Sequence, residues 1–225
     1  MTINKSSSVV QREANDEMAS RVSPSAALVL HGRRILLRTL SDADYDQWFE
    51  VRNRCHDWLL RWEPRPANAT HLAEDRRSFA SRCAIRDRER QLGSAYGFGI
   101  FTTNRLVGEL TLSSIQRGPL QSAFIGYWVD EKFAGQGLVP EAVVTALQFA
   151  FDSLRLHRIE INIIPRNDPS LRVVTKLGLR AEGVAERYLE IDGAWEDHAR
   201  FAITAEEWAE RSPELVASWL LPRAN

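Results

Sequence analysis

Structure-forming regularity in the apolar positions begins near residue 28. Residues 28–38 alternate loosely between apolar and polar, as a strand does. Ser41 and Asp42 then precede Tyr45, Trp48, Phe49 and Arg52 at helical spacing, which predicts a capped helix to about residue 54. Residues 55–69 mix Trp58 and Trp62 with Pro64 and Pro66, reading as a short helical turn and a loop. A second long helix is expected over residues 70–90, where Leu72, Phe79, Cys83 and Ile85 stand among many arginines.

A β-meander follows at residues 96–101, 106–115 and 123–129, broken by Thr103-Asn104-Arg105 and by Gln116-Arg117-Gly118-Pro119. The third strand leads through a Gly-rich turn into a helix with Pro140 in its first turn and apolar residues at Ala142, Val143, Ala146, Leu147, Ala150 and Phe151. Residues 158–164 read as a buried strand. A shorter helix starts at Asn167-Asp168-Pro169-Ser170 and stops at Gly178. Strands at 181–191 and 195–203 flank an Asp192-Gly193 turn. Thr204 caps a last helix over 205–210, and residues 214–220 add another. This order predicts one mixed α+β domain at 27–225, behind a Ser-rich flexible leader at 1–26.

Composition narrows the class. Hydrophobic content of 44% with seven Trp and nine Phe is enough for a packed core. Charges balance at 29 basic against 30 acidic, which argues against direct nucleic-acid binding as the main business. No run approaches the roughly 20 apolar residues of a spanning helix, and the leader has no apolar core of a signal peptide, so a cytoplasmic protein without a membrane partner is expected. Cys55 and Cys83 form no C-x-x-C pair and suit reduced thiols. The histidines form no H-x-x-x-H pair, and no metal site is expected.

Two segments carry chemistry. In Lys132-Phe133-Ala134-Gly135-Gln136-Gly137-Leu138 a strand re-enters directly as a helix. Such a junction points unpaired N–H groups at one spot where the helix dipole is positive, and a phosphate fits there. A plain strand-to-helix turn would look the same. A dinucleotide fingerprint is excluded because its third glycine would fall on Pro140, and a P-loop because Leu138-Val139 follows Gly137. In the second segment, Asn167, Asp168 and Ser170 are first of all capping residues. Functionally, Asn167 and Ser170 would project into a cleft beside the turn.

Taken together, the segments resemble a family. Tyr127-Trp128-Val129, the Gly135-Gln136-Gly137 turn and Glu141-Ala142 resemble the acetyl-CoA motif of the GNAT superfamily. Arg166-Asn167-Asp168-Pro169-Ser170, Lys176-Leu177-Gly178-Leu179-Arg180-Ala181-Glu182-Gly183 and the closing Gly193-Ala194-Trp195-Glu196-Asp197-His198 resemble its RimJ/RimL branch of ribosomal-protein-alanine N-acetyltransferases. The resemblance runs from about Arg33 to Phe201. It implies a single GNAT-type domain: a mixed, mostly antiparallel twisted sheet of about seven strands flanked by helices, with a splayed central strand pair.

It also implies roles. Backbone N–H groups of Ala134, Gly135, Gln136, Gly137 and Leu138 would hold the pyrophosphate of acetyl-CoA. Trp128 and Val129 would pair with the pantetheine arm, which Asn167 would also bond. Ser170 would face the thioester sulfur as the catalytic acid, and Lys132 and Lys176 would meet phosphates. The tyrosine acid of many relatives corresponds to Val174 here, and the glutamate base of this branch to Leu189, with Glu190 adjacent but on the opposite strand face. Glu109, within the second meander strand, is a further candidate base. Glu109, Glu190 and solvent stay open.

The implied reaction is direct attack of a neutral amine on the thioester. An α-amine has a pKa near 7.7–8.0, against about 10.4 for lysine, so it tolerates a weak base better. Acetylation of a protein N-terminus, as on a ribosomal protein, leads. In that reading Arg76, Arg77, Arg82, Arg86, Arg88 and Arg90 of the second helix line the acceptor side, unless they form only a solvated face. A polyamine, aminoglycoside or amino-acid acetyltransferase, or a catalytically silent CoA-binding regulator, are the alternatives. Monomer and homodimer are both open.

Overall fold

The structure, a computed structural model, describes residues 28–64 and 75–222. The leader at 1–26 and the expected start of the second helix at Thr70 lie outside the described residues. Eight strands form one sheet: β1 (Val29–His31), β2 (Leu36–Arg38), β3 (Tyr96–Thr102), β4 (Arg105–Gln116), β5 (Ser122–Val129), β6 (Arg158–Ile163), β7 (Arg180–Ile191) and β8 (Ala194–Thr204). The helices are α1 (Tyr45–Arg54), α2 (His56–Leu60), α3 (Arg76–Leu92), α4 (Leu138–Gln148), α5 (Asp168–Lys176) and α6 (Ala205–Trp219). Strand order is β1-β2-β3-β4-β5-β6-β8-β7. Neighbours are antiparallel except β5 and β6, which run parallel.

The expected strand at 28–38 is a hairpin, which brings the sheet to eight strands. Its turn closes with the Gly32 N–H donating to the Ile35 carbonyl at 2.9 Å. A Cβ on Gly32 would lie 2.9 Å from a carboxylate oxygen of Glu141. That buried carboxylate accepts the Arg34 and Ile35 backbone N–H groups, so the chain folds back onto it. The last helix also departs from expectation, running unbroken through Pro213. Proline removes one helical hydrogen bond, but Trp208 and Leu215 are buried in the main core, with Val216 and Trp219 packed against it, on both sides of that break.

α4 is nearly all apolar and buried from Leu138 to Leu147. It packs with α5 and α6 against β3 to β6 in the main core, which includes Phe98, Ile100, Leu110, Ile125, Val143, Ile159, Ile161 and Val174. A smaller cluster of Trp48, Phe79, Phe101 and Leu106 joins α1 and α3 to the sheet. Because strand side chains alternate between faces, the sheet carries α4 and α5 on one side and α1 to α3 on the other.

Candidate active site

β5 and β6 pair only at Ser122–Arg158, Ala123–Ile159 and Phe124–Glu160. Beyond these the strands part, leaving Gly126 to Val129 on one side and Ile161 to Ile163 on the other. A cleft of about 1230 Å³ opens there and reaches both faces of the sheet. Its lining starts at Ala134, Gly135, Gly137 and Leu138, continues along Trp128 and Val129, and takes in Asn167, Ser170 and Lys176.

The turn has the geometry an anion needs. Gly135 and Gly137 have φ of +76° and +78°, the left-handed region that glycine enters without a steric penalty. Among the described residues, the N–H groups of Gly135, Gln136, Gly137, Leu138 and Val139 donate to no backbone carbonyl. They stand at the positive end of α4, a ready site for phosphate. Asp130, wholly buried, steadies the approach. It accepts from Arg54 Nη2 at 2.6 Å, from the Lys132 N–H at 3.1 Å and from the Cys55 thiol at 3.3 Å. The same contact places Lys132 in a one-turn 3-10 helix with its side chain exposed and off the cleft lining. Gln136 is likewise exposed and outside the lining; its Nε2 donates to the Lys132 carbonyl at 2.8 Å.

Asn167 is a cap, as its residue type predicts: its Oδ1 accepts the Ser170 N–H at 3.2 Å. It also lines the cleft, so the two readings of this segment are compatible. Val174 is wholly buried in the core, away from any reacting group. A tyrosine arrives from elsewhere. The Tyr127 hydroxyl donates toward the Ser170 carbonyl at 3.4 Å, and burial pushes its phenol well above the ordinary value. Its place within the strand motif conceals this; only the packing of α5 on β5 brings the two together.

Trp128 and Glu109 are cross-strand partners and share the opposite face. Glu109 is buried. The Trp48 indole donates to its Oε1 at 2.7 Å, and Arg82 and Arg86 each place an Nη1 at 3.0 Å from Oε2. Burial alone would raise this carboxyl, but the two guanidiniums and the indole bring it below its ordinary range. Of the six arginines proposed for the acceptor side, Arg82 and Arg86 line the cleft. Arg77 and Arg88 are exposed, Arg76 bonds Asp46, and Arg90 bonds Asp87.

On the edge strand, β7 loses register between Ala185 and Leu189, where Arg187 takes φ +48° and its N–H donates to Asp197 Oδ1 at 2.8 Å. Such a bulge re-aims neighbouring side chains. Tyr188 and Leu189 both line the cleft, whereas Glu190, half-buried, lies outside its lining. His198 on β8 also lines the cleft. Among the described residues, no group of three or more His, Cys, Asp or Glu could hold a metal ion, and no helix is long and apolar enough to cross a membrane. Cys55 and Cys83 are free thiols.

Comparison with known proteins places the chain in a family. Residues 34–180 match the family described as the acetyltransferase (GNAT) domain. The chain is 36% identical over 177 residues, covering 78% of itself and 96% of the relative, to the probable N-acetyltransferase YjcK of Bacillus subtilis (strain 168). It is 29% identical over 177 residues, 78% of this chain and 90% of the other, to the ribosomal protein uS5-alanine N-acetyltransferase of Escherichia coli (strain K12). Among solved structures, Mycobacterium smegmatis RimJ in complex with CoA-disulfide superposes with a TM-score of 0.78 at 34% identity, covering 87% of this chain and 94% of that one.

Proposed function

The chain belongs to the GNAT acetyltransferase family and is an acetyl-CoA-dependent N-acetyltransferase, and from that premise we propose that its acceptor is the N-terminal α-amine of a protein. The observation that carries this is the charge of the acceptor side. Among the described residues, the carboxylates lining the cleft are Glu63 and Glu109, and each is neutralised by arginine: Glu63 by Arg52, and Glu109 by Arg82 and Arg86. A polyamine or aminoglycoside carries several positive charges and needs unpaired carboxylates to meet them. A single terminal amine does not. The same walls carry Trp48, Trp58, Trp62 and Trp128, broad apolar surfaces against which the first side chains of a peptide can pack. Ribosomal-protein acetyltransferases among the relatives point the same way.

In this reading the N–H groups of Gly135 to Leu138 hold the pyrophosphate of acetyl-CoA; the Ala134 N–H, expected to join them, is instead taken up by the Glu131 carbonyl at 3.1 Å, which closes the one-turn helix before it. The pantetheine arm lies between Trp128–Val129 and β6, and Asn167 bonds it. Lys176, exposed on the cleft rim, meets a phosphate. Ser170 faces the sulfur and protonates the departing thiolate.

The test is thiol release from acetyl-CoA across an acceptor panel. Peptides with a free N-terminus should turn over. The same peptides blocked at the N-terminus but carrying lysine should not, nor should spermidine or an aminoglycoside. Faster turnover with the polycations would replace this reading with a small-molecule one.

A further inference from the structure

We infer that His198 is the catalytic base, taking a proton from the acceptor nitrogen through Nε2, with Asn162 positioning that nitrogen. The inference rests on the N-acetyl transfer activity and holds for any amine acceptor.

Sheet geometry sets the direction of approach. Asn162 is opposite Arg200 in the β6–β8 ladder, and Arg200 reaches Glu160 at 2.5 Å, so Glu160, Asn162, Arg200 and, by alternation, His198 share one face. Phe124 pairs with Glu160, which places Trp128 and its partner Glu109 on that face as well. Tyr127 and Ser170 lie on the other. A thioester threaded through the gap between β5 and β6 from the α5 side therefore presents its carbonyl to the face bearing His198.

The ring is held in one tautomer. His198 is 3% exposed, and its Nδ1 lies 3.0 Å from the Glu196 carbonyl oxygen. A carbonyl can only accept, so Nδ1 carries the hydrogen and Nε2 presents a lone pair. Tyr188 fixes the ring orientation edge-on, with centroids 5.5 Å apart. The Tyr188 hydroxyl accepts from Asn162 Nδ2 at 3.3 Å, while Asn162 Oδ1 is buried and receives no hydrogen bond from any described residue. Two acceptors, His198 Nε2 and Asn162 Oδ1, thus flank one tyrosine on the wall of the cleft. A buried acceptor left without a donor is costly, and an amine supplies N–H donors to both.

The rival carboxylates are worse placed. Glu109 has both oxygens engaged by Arg82, Arg86 and Trp48, and Glu190 lies off the cleft. Charged groups on the His198 face are already paired, Glu196 with Arg166 and Arg200 with Glu160; Glu63, on the facing loop, is held by Arg52, and β7 contributes the Tyr188 ring and hydroxyl. In the reaction the amine lone pair forms the new C–N bond and Nε2 takes one proton from that nitrogen, later releasing it to solvent. The C–S bond then breaks, and the sulfur takes a proton from Ser170, which solvent restores.

The experiment measures kcat/KM against pH with the fastest acceptor of the panel, at saturating acetyl-CoA. His198→Gln should lower it by about 10²- to 10³-fold at neutral pH, the usual share of a general base. The ascending limb of the wild-type profile should vanish, and rate should return only as the acceptor's own amine deprotonates. Acetyl-CoA affinity by calorimetry should be unchanged, which separates lost chemistry from lost folding. Added imidazole should partly restore His198→Ala, and Asn162→Leu should raise the acceptor KM while keeping the wild-type pH limb. A His198→Gln enzyme that keeps the wild-type limb, or a His198→Ala enzyme insensitive to imidazole, would overturn the assignment whichever acceptor is used.

Discussion

The Arg34 guanidinium places Nε 2.8 Å from Glu141 Oε2, and the Arg34 backbone N–H donates to the other oxygen of the same carboxylate. Arg34 also reaches the Gln136 carbonyl at 3.0 Å, so one residue of the β1–β2 turn grips both the first turn of α4 and the Gly-rich turn before it. Glu141 is wholly buried and accepts the Ile35 N–H as well. Its negative charge at a helix start is further favoured by the dipole.

Glu141→Ala leaves two backbone N–H groups and a guanidinium without their acceptor. Arg34 is part-exposed and its guanidinium can turn to water, but each backbone N–H left buried without a partner costs about 1–3 kcal/mol, which lowers the melting temperature by something on the order of 10 °C in a chain of this size. Glu141→Gln keeps an acceptor and should lose less. Thermal unfolding checks both, and an unchanged midpoint for Glu141→Ala would show that the hairpin is held by its apolar contacts alone.

Acetyl-CoA affinity should fail when the turn is altered. At Gly137 a Cβ would sit 3.4 Å from both Arg34 Nη2 and the Trp219 ring, and the left-handed φ is strained for any side chain. Gly135 faces open space, so there the penalty is φ and charge rather than packing. Gly135→Asp and Gly137→Asp should each abolish binding in calorimetry by setting a carboxylate against a phosphate. Undiminished affinity in both would move the cofactor elsewhere.

Ser170→Ala should lower kcat by about 10- to 100-fold, the low side of acid catalysis, with little change in the acetyl-CoA KM. Its backbone N–H stays with Asn167, so the helix start should survive. Tyr127→Phe, which removes a buried phenol whose hydroxyl points at the Ser170 carbonyl, tests whether that hydroxyl shares the role. If kcat is unmoved in Ser170→Ala and falls in Tyr127→Phe, the acid is Tyr127.

Glu109→Gln should change stability rather than the shape of the pH–rate profile. Burial raises the Glu109 carboxyl, and Arg82, Arg86 and Trp48 more than offset that, leaving it below its ordinary range. A carboxyl lowered on folding contributes stability above its unfolded pKa of about 4.3 and loses it as pH falls through the folded value. Wild type should therefore exceed Glu109→Gln in denaturant midpoint at pH 7, and the gap should close on acidification below about pH 4. A gap that persists into acid would mean the amide misfits the site for steric reasons.

Local signals on this chain read well because they are local. The Gly135-Gln136-Gly137 turn, the Asn167 cap and the Thr204 capping box each depend on residues a few positions apart, and each stands where the residue types require. Lys132 and Gln136 fall within the same motif yet face solvent, since a motif records backbone geometry and not the direction of each side chain. Long-range pairing decided the rest. The span 28–38 alternates like one strand and becomes a hairpin because Glu141, more than a hundred residues on, draws its N–H groups inward. Glu109 looks like a free carboxylate in sequence and is saturated by arginines from α3. Tyr188, Leu189 and Glu190 were sorted between cleft and outside by one bulge at Arg187. His198 closes a motif as an ordinary residue; the Glu196 carbonyl on its own strand sets its tautomer locally, but only Tyr188 of β7 and Asn162 of β6 make its surroundings on the cleft wall. Periodicity and caps are written along the chain, whereas the partner that satisfies a buried charge or fixes a ring is chosen by which strands and helices meet.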